Sequence, residues 1–302
     1  MKVLITGATG LVGQAVVRHC LSQGIHVNYL TTRSSKVKDD IQYRGFLWSV
    51  DAGSIDKSCF DGVDVIVHLA GATVSKRWTP RYKKEIEDSR IKSTELLINS
   101  LKTVNHQVRQ VVTASGVNIY PDSLTAYYEE DCKEVDNSFL GKLVYRWERA
   151  VDGFSKLNIS ITKMRIGMVL SAHGGALPEM AAPIKLGMGA TFGKGTQWQS
   201  WIHIDDLAGI ILFLAEERLQ GVYNAIAPNP VTNRDFTKTL ATVMKRPLFL
   251  PDIPKTIMKL VLGEMHELLY SSQRVSSKKI EAAGYIFKYH SLNMALKAEY
   301  GE

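Results

Sequence analysis

Three glycines, at positions 7, 10 and 13, stand between an apolar run and an amphipathic stretch. Gly7 permits a tight turn, Gly10 lets a phosphate approach the backbone where no Cβ interferes, and Gly13 lets the next helix pack closely. The N-terminus of that helix offers unpaired N–H groups and a positive dipole end to an anion. The pattern predicts a pyrophosphate cradle. The residues predicted to contact the ligand there are Gly7, Thr9, Gly10, Leu11, Val12 and Gly13.

A glycine triplet alone is a weak signal, so the flanking elements decide its meaning. An apolar strand pattern covers residues 3–6, a helical pattern runs from Gly13 until Gly24 ends it, and a second strand pattern covers residues 27–31. These are the elements that a dinucleotide-binding βαβ unit requires.

Strand and helix patterns continue to alternate along the chain, which argues for a parallel sheet covered by helices on both faces. Further strands are predicted at residues 45–50, 63–70, 110–114, 160–166 and 221–225, and further helices at 80–101, 140–157 and 207–217. The predicted fold class is α/β, a doubly wound parallel Rossmann sheet with a smaller, mainly helical C-terminal substrate lobe.

Composition shifts mark the predicted domain boundaries. Residues 171–195 are rich in glycine, and prolines punctuate the chain after Ala227. We predict an NADP-binding Rossmann domain at residues 1–170, to which residues 201–226 return. Residues 171–200 and 227–302 form the predicted substrate lobe.

Bulk properties predict a cytoplasmic protein that binds a small molecule. Basic residues are scattered despite a net charge of +7, so no nucleic-acid partner is expected, and the excess charge suits a phosphate-bearing ligand. No apolar stretch reaches the length of a membrane span and the chain begins directly with a strand, so no membrane partner and no signal peptide are expected. Three widely separated cysteines fit reduced thiols, and no residues have metal-ligand spacing.

Several motifs together resemble an extended short-chain dehydrogenase/reductase. They are residues 6–13, 68–71, 165–169, 201–206 and 221–224. A narrower set resembles the atypical NAD-dependent epimerase family, a nucleoside-diphosphate-sugar epimerase-like branch with a short C-terminal domain. This set comprises residues 69–72, 77–78, 85, 89–90, 145–148, 189–195, 201, 227–228 and 232–233. The resemblance implies a nicotinamide cofactor and leaves a homodimer open.

The residues that follow the second strand favour NADP(H) over NAD(H). A cofactor without a 2′-phosphate is usually held there by a carboxylate, whereas this chain has Thr31, Thr32 and Arg33. Arg33 offers a planar fork that suits phosphate oxygens, and Thr32 offers a hydroxyl donor. The alternative is that Arg33 is a solvated loop residue.

Other cofactor contacts are expected around the carboxyl ends of the strands. Leu69, Ala70 and Gly71 should pass the adenosine side, and Val169 should close over the nicotinamide. By resemblance, Glu85 and Arg90 also reach the cofactor, although both could be ordinary surface charges on a helix.

The catalytic pattern of the superfamily is incomplete. The usual Tyr-x-x-x-Lys pair acts in proton transfer, but its positions here fall at Leu140 and Val144. Ser115 follows a buried strand where the superfamily keeps a hydroxyl, and Tyr120 ends the same loop. We predict Ser115 and Tyr120 as catalytic candidates, with a turn-forming role as the alternative for Ser115.

The predicted function is that of an NADP(H)-dependent oxidoreductase or epimerase of the short-chain type, acting on an unidentified small carbonyl, alcohol or nucleotide-sugar substrate. The missing Tyr and Lys leave a second hypothesis open, a catalytically reduced dinucleotide-binding sensor or scaffold protein.

Overall fold

The computed structural model describes residues 1–301. Its strands are β1 Lys2–Thr6, β2 His26–Thr31, β3 Tyr43–Ser49, β4 Ser54–Ile55, β5 Val65–His68, β6 Gln110–Gly116, β7 Tyr127–Tyr128, β8 Ser160–Ile166, β9 Met168–Leu170, β10 Trp198–Gln199, β11 Trp201–His203, β12 Gly221–Ala225, β13 Val231–Thr232 and β14 Arg274–Val275. Its α-helices are α1 Leu11–Ser22, α2 Pro80–Leu101, α3 Phe139–Val151, α4 Ala176–Lys185, α5 Ile204–Glu216, α6 Asn233–Val243, α7 Lys255–Leu262, α8 Glu267–Tyr270, α9 Lys278–Ala282 and α10 Leu292–Tyr300. Short 3₁₀ helices cover Ser34–Lys36, Lys57–Phe60, Val117–Ile119, Asp152–Leu157 and Gly263–His266.

The central sheet has eight strands in the order β12-β8-β6-β5-β1-β2-β3-β4. All neighbours are parallel except β3 and β4. The strand order reverses between β1 and β5, and ligands of such sheets bind at this point, beyond the carboxyl ends of the strands. The predicted α/β fold with a parallel Rossmann-like sheet and a mainly helical C-terminal region is therefore confirmed.

Helices cover both faces of this sheet. On one face α1 and α5 pack over β1, β2 and β12, and α5 is buried along most of its length. On the other face α2 and α3 pack with the 3₁₀ helix at 152–157. A third apolar cluster joins α4, α6 and α10 around Trp201, which has no exposed surface.

Several predicted boundaries differ from the structure. Helix α1 begins at Leu11 rather than Gly13, because Gly10 holds the extended backbone of an N-cap. Helix α3 ends at Val151, and residues 152–157 continue as a 3₁₀ helix. Helix α4 was not predicted. None of the helices described within residues 1–301 has the length and apolar character to cross a bilayer.

Close packing of glycines fixes the loop that follows β1. Gly7 has a backbone φ of +72°, which favours glycine. A Cβ on Gly13 would lie 2.2 Å from the Gly7 carbonyl oxygen and 2.6 Å from the Ala8 Cα. Helix α1 therefore rests directly on the backbone of the loop, with its N-terminus at the switch point of the sheet.

A buried chain of hydrogen bonds fixes the loop that follows β5. The Thr94 hydroxyl donates to the Arg90 carbonyl at 2.8 Å and therefore accepts from His68 Nε2, which lies 3.1 Å away. His68 Nδ1 is then unprotonated and accepts from the Thr6 hydroxyl at 2.8 Å. Both lone pairs of the Thr6 oxygen remain for the amides of Leu69 and Ala70, at 3.1 and 3.0 Å. The end of β1 thus holds the loop after β5.

We expect Gly13→Ala to lower the free energy of unfolding by about 1–3 kcal/mol, because the added methyl group must displace backbone atoms rather than a flexible side chain. Chemical denaturation of the two proteins measures the difference. Arg18→Ala, at an exposed position on the same helix, is the control and should change stability little. Equal stability of Gly13→Ala and the parent would contradict the packing described.

His68 should make the stability depend on pH. Complete burial lowers its pKa from 6.5 to about 4. As the pH falls from about 6.5 to about 4, the unfolded chain binds a proton at His68 that the folded chain does not, so stability is lost across this window, on the order of 3 kcal/mol. Denaturation curves should show a shallower loss in His68→Gln, whereas His290→Gln, at an exposed position, should keep the parental slope. A parental slope in His68→Gln would be inconsistent with this role.

Candidate functional site

The turn after β2 exposes Thr32 and Arg33 at the carboxyl edge of the sheet. The backbone N–H of Arg33 donates to the Thr31 hydroxyl at 3.2 Å, and Arg33 precedes the 3₁₀ helix at residues 34–36. Residues 31–38 contain no carboxylate. The turn therefore presents a cation and a hydroxyl where a ribose-binding acid would otherwise stand.

The guanidinium of Arg90 packs against the loop after β5. A Cβ on Gly71 would lie 3.0 Å from Arg90 Cζ, and the same guanidinium lies 5.1 Å from the centre of the Trp147 ring. Arg90 donates to the carbonyls of Ala72 and Ile86, both at 3.0 Å. Burial lowers the pKa of Arg90 to about 10, since these neutral partners do not balance its charge. The positive charge of Arg90 would therefore stabilise an anion bound beside the guanidinium.

The structure does not bring Glu85 into this cluster. Glu85 lies on the same helix as Arg90 but is exposed, five residues nearer the helix N-terminus. Leu69 and Ala70 are half-buried and are held by the Thr6 hydroxyl, so their backbone borders the switch point.

A second glycine segment covers the start of α1. Cβ atoms on Gly174 and Gly175 would lie 3.5 and 3.3 Å from the side chain of Leu11, and the Gly175 position is also 3.8 Å from the Val169 carbonyl oxygen. Leu11, Val12 and Val169 are half-buried against the core of the sheet. These residues, which are far apart in the chain, therefore form one wall beside the predicted cradle.

The C-terminal helix holds this wall in place through Glu299. The carboxylate of Glu299 accepts from the backbone N–H of Ala172, and its Oε1 lies 2.9 Å from His203 Nε2. His203 Nδ1 accepts from the backbone N–H of Asp205 at 3.2 Å, so the ring is neutral with its proton on Nε2. Burial lowers the pKa of His203, which favours the same state. Sequence reasoning did not single out Glu299, because its partners lie about 100 residues away.

Ser115 belongs to a buried ion-pair network. Its hydroxyl donates to Glu148 Oε1 at 2.6 Å, and Arg165 binds the same carboxylate through two donors, Nε at 3.0 Å and Nη2 at 3.1 Å. All three side chains are buried. The pair stabilises the charge of Arg165 and raises the pKa of its guanidinium. Sequence reasoning missed the role of Glu148, although it noted the motif that contains it.

Tyr120 is joined to the same network. Its hydroxyl accepts from Arg165 Nη1 at 3.0 Å and donates to Asn224 Oδ1 at 2.7 Å, and Asn224 is oriented by donating from Nδ2 to the Ser276 carbonyl at 3.0 Å. Tyr120 has no exposed surface, and burial raises its pKa to about 12. Its only proton is therefore committed to Asn224.

The positions where the superfamily places its tyrosine and lysine are apolar and buried. Leu140 and Val144 both lie on α3 with little exposed surface. A Cβ on Gly116 would lie 3.5 Å from Val144 Cγ2, so Gly116 is a strand residue that lies beside this helix position. Neither glycine nor the two aliphatic side chains can transfer a proton.

Comparisons with known proteins agree along the whole chain. The family model described as NAD dependent epimerase/dehydratase family matches residues 3–225, and a model described as a domain of unknown function, DUF1731, matches residues 253–299. Epimerase family proteins of Staphylococcus aureus (strain N315) and Staphylococcus haemolyticus (strain JCSC1435) are 38% and 39% identical over 295 residues, which is 97% of this chain and 97% of each relative.

Two solved structures share both fold and sequence with the chain. Human epimerase family protein SDR39U1 (isoform 2), crystallised with NADPH, has a TM-score of 0.86 at 31% identity, with 99% of each chain covered. A nucleoside-diphosphate sugar epimerase from Corynebacterium glutamicum has a TM-score of 0.79 at 30% identity; the match covers 100% of this chain and 58% of that one. The resemblance drawn from the motifs is thus confirmed, and the chain belongs to the NAD-dependent epimerase/dehydratase family, within the short-chain dehydrogenase/reductase type.

Proposed function

We propose that the protein binds NADP(H) across the switch point of the sheet and transfers hydride between the nicotinamide and a small carbonyl, alcohol or nucleotide-sugar substrate. The observation that carries the choice of cofactor is the turn after β2, where Arg33 is exposed and no carboxylate stands between residues 31 and 38. A guanidinium that contacts a phosphate adds roughly 1.5–3 kcal/mol to binding, which is enough to separate the two cofactors. The similar human protein was crystallised with NADPH, which supports this choice.

The geometry supports a role for each part of the site. The backbone of Gly7, Thr9 and Gly10 and the N-terminus of α1 would hold the pyrophosphate, and Arg33 with Thr32 would hold the 2′-phosphate. Arg90 would supply further positive charge beside Gly71, since its own partners are neutral. Leu11, Val12, Gly13 and Val169 would provide the apolar and close-packed surfaces. A contact from Glu85 stays a prediction, because its side chain points to solvent in the structure.

The substrate would lie between two parts of the chain. We assign residues 1–170 and 201–226 to the cofactor-binding part, and residues 171–200 and 227–302 to the substrate lobe. The apolar cluster of α4, α6 and α10 supports this division, because it is separate from the clusters on the two faces of the sheet. A homodimer and a cytoplasmic location stay predictions.

Proton transfer is the demanding step of this proposal. Reduction of a carbonyl needs a proton as well as the hydride, and Ser115 and Tyr120 were the predicted candidates. The Ser115 proton points to Glu148 and the Tyr120 proton points to Asn224. Ser115 is the better candidate, because it lies at the carboxyl end of β6. Its hydroxyl could rotate so that the proton points to a substrate oxygen instead of Glu148, whereas Tyr120 is fully enclosed.

A second candidate function is that of a dinucleotide-binding sensor or scaffold. It is favoured by Leu140 and Val144 on α3 and by Gly116 beside Val144, because none of the three has a titratable group. Such a protein would keep the cofactor site and bind without turnover.

The first test compares the two cofactors. We expect the parent protein to bind NADPH more tightly than NADH in a fluorescence titration, and Arg33→Ala to weaken NADPH binding by about ten- to a hundredfold while changing NADH binding little. Arg18→Ala removes an exposed arginine elsewhere and should leave both affinities unchanged. Tighter binding of NADH by the parent would overturn the assignment.

The second test separates enzyme from sensor. Carbonyl compounds and nucleotide sugars are supplied with NADPH, and loss of nicotinamide absorbance is followed. For an enzyme that uses Ser115 we expect sustained oxidation that Ser115→Ala lowers by about a hundredfold or more, with NADPH affinity retained. Ser155→Ala, at an exposed position, should keep full activity. Tight NADPH binding without turnover of any compound would favour the sensor.

A further inference from the structure

Helix α7 presents its apolar side to solvent. Ile257, Leu260 and Val261 follow the i, i+3, i+4 spacing that places them on one face, and all three are exposed, Leu260 to 83%. Met258 and Leu262, on the other side of the helix, are only half-buried. A surface helix normally turns its apolar stripe to the core. The exposed apolar stripe of α7 therefore indicates a surface that another molecule covers.

Further apolar side chains are exposed in neighbouring segments of the same lobe. Phe249 is 71% exposed and Leu250 is also exposed, just before α7. The segment 248–253 runs beside 189–193, where Ile253 donates to the Thr191 carbonyl and accepts from the Gly193 N–H, both at 2.8 Å. Leu186 and Met188 are exposed immediately before that segment. We call these residues the lobe patch: Leu186, Met188, Phe249, Leu250, Ile257, Leu260 and Val261.

The charges around the lobe patch are mostly basic. Lys255 and Lys259 are exposed on α7, which carries no acidic residue, and Lys185 and Arg246 are exposed beside the other segments. Two acidic side chains close to these segments are paired with bases: Arg234 binds Asp252 at 2.8 Å, and Lys83 binds Glu264 directly after α7. The whole chain carries a net charge of +7. The lobe patch is thus an apolar surface with a positive rim.

The apolar side chains and the surrounding positive charges limit which kind of surface could cover the lobe patch. A second copy of the chain would bring an equally basic rim against the first, which is unfavourable. An anionic bilayer offers negative headgroups to the lysines and arginines and an acyl boundary to the exposed leucine, valine, isoleucine and phenylalanine side chains. We propose that the lobe patch docks as a peripheral contact on a bilayer that contains anionic lipid.

The proposal departs from the sequence-based prediction of no membrane partner. That prediction considered long apolar stretches, whereas the lobe patch is assembled from three short segments. The segment that follows α7 packs against α2 and α3. Directly after α7, Met265 and Leu268 pack against the cluster of Trp78 and Leu140, and Glu264 pairs with Lys83 of α2.

The test is co-sedimentation of the full chain with vesicles. We expect about tenfold more bound protein on phosphatidylcholine vesicles that contain phosphatidylglycerol than on pure phosphatidylcholine, and we expect added salt to reduce the difference. The double variant Phe249→Glu with Leu260→Glu should bind anionic vesicles no better than neutral ones. Ile41→Glu, at an apolar position that is 92% exposed on the sheet side of the molecule, should bind as the parent does.

Three results would overturn the proposal. The first is equal sedimentation of the parent with anionic and neutral vesicles. The second is equal loss of binding in Ile41→Glu and in the double variant. The third is a parental dimer, seen by light scattering, that the double variant dissociates while vesicle binding is absent, since a second copy would then cover the lobe patch. Thermal unfolding of both variants at the parental temperature confirms that the comparison is between folded proteins. NADPH affinity should be unchanged in both, so the outcome is independent of the cofactor assignment.

Discussion

The close approach of three backbone segments at the switch point is the constraint on which the site depends. The loop after β1, the first turn of α1 and the loop after β5 meet where Gly13 rests on the Gly7 carbonyl and Gly7 rests on Leu69. A Cβ at Gly7 or Gly13 would crowd backbone atoms of these segments, so they could not approach so closely. The Thr6 hydroxyl also lies beside the loop after β5. It donates to the His68 ring and accepts from the amides of Leu69 and Ala70. Pre-organised backbone of this kind lets a ligand bind with little ordering cost.

A buried ion pair organises the other half of the edge. Glu148 of α3 and Arg165 of β8 hold Ser115 of β6, and Arg165 also holds Tyr120. Desolvation makes such a pair a weak source of stability, but removing one partner would leave a buried charge and cost several kcal/mol, roughly 3–5. The network therefore fixes geometry more than it adds stability. Within this arrangement the Ser115 hydroxyl donates to Glu148 and the Tyr120 hydroxyl donates to Asn224.

Local sequence patterns predicted those helices and strands whose bounds depend mainly on neighbouring residues. The bounds of α2, β8 and β12 agree with the sequence reading, because the hydrophobic period and the flanking residues decide them. Helix α4 was missed, since Pro183 within it and glycines around it read as a loop. Sequence patterns also did not reveal that the His203 ring caps α5, or that Asp206 in the first turn of that helix accepts from the amides of Lys288 and Tyr289. Lys288 and Tyr289 are more than 80 residues from Asp206 in the chain, so no local sequence pattern predicts these contacts.

Other long-range contacts connect the C-terminal residues to the edge of the sheet where the cofactor is proposed to bind. Glu299 binds the amide of Ala172, and the glycines that follow contact Leu11 at the start of α1. His203, buried between Glu299 and α5, keeps its neutral state because its Nδ1 serves as the helix cap. A change in the position of α10 would therefore move the wall beside the cradle without touching the glycine loop itself. In this family member the C-terminal helix and the Rossmann sheet are therefore linked at that wall by contacts of Glu299. The residues that make these contacts are far in sequence from the glycine loop beside the wall.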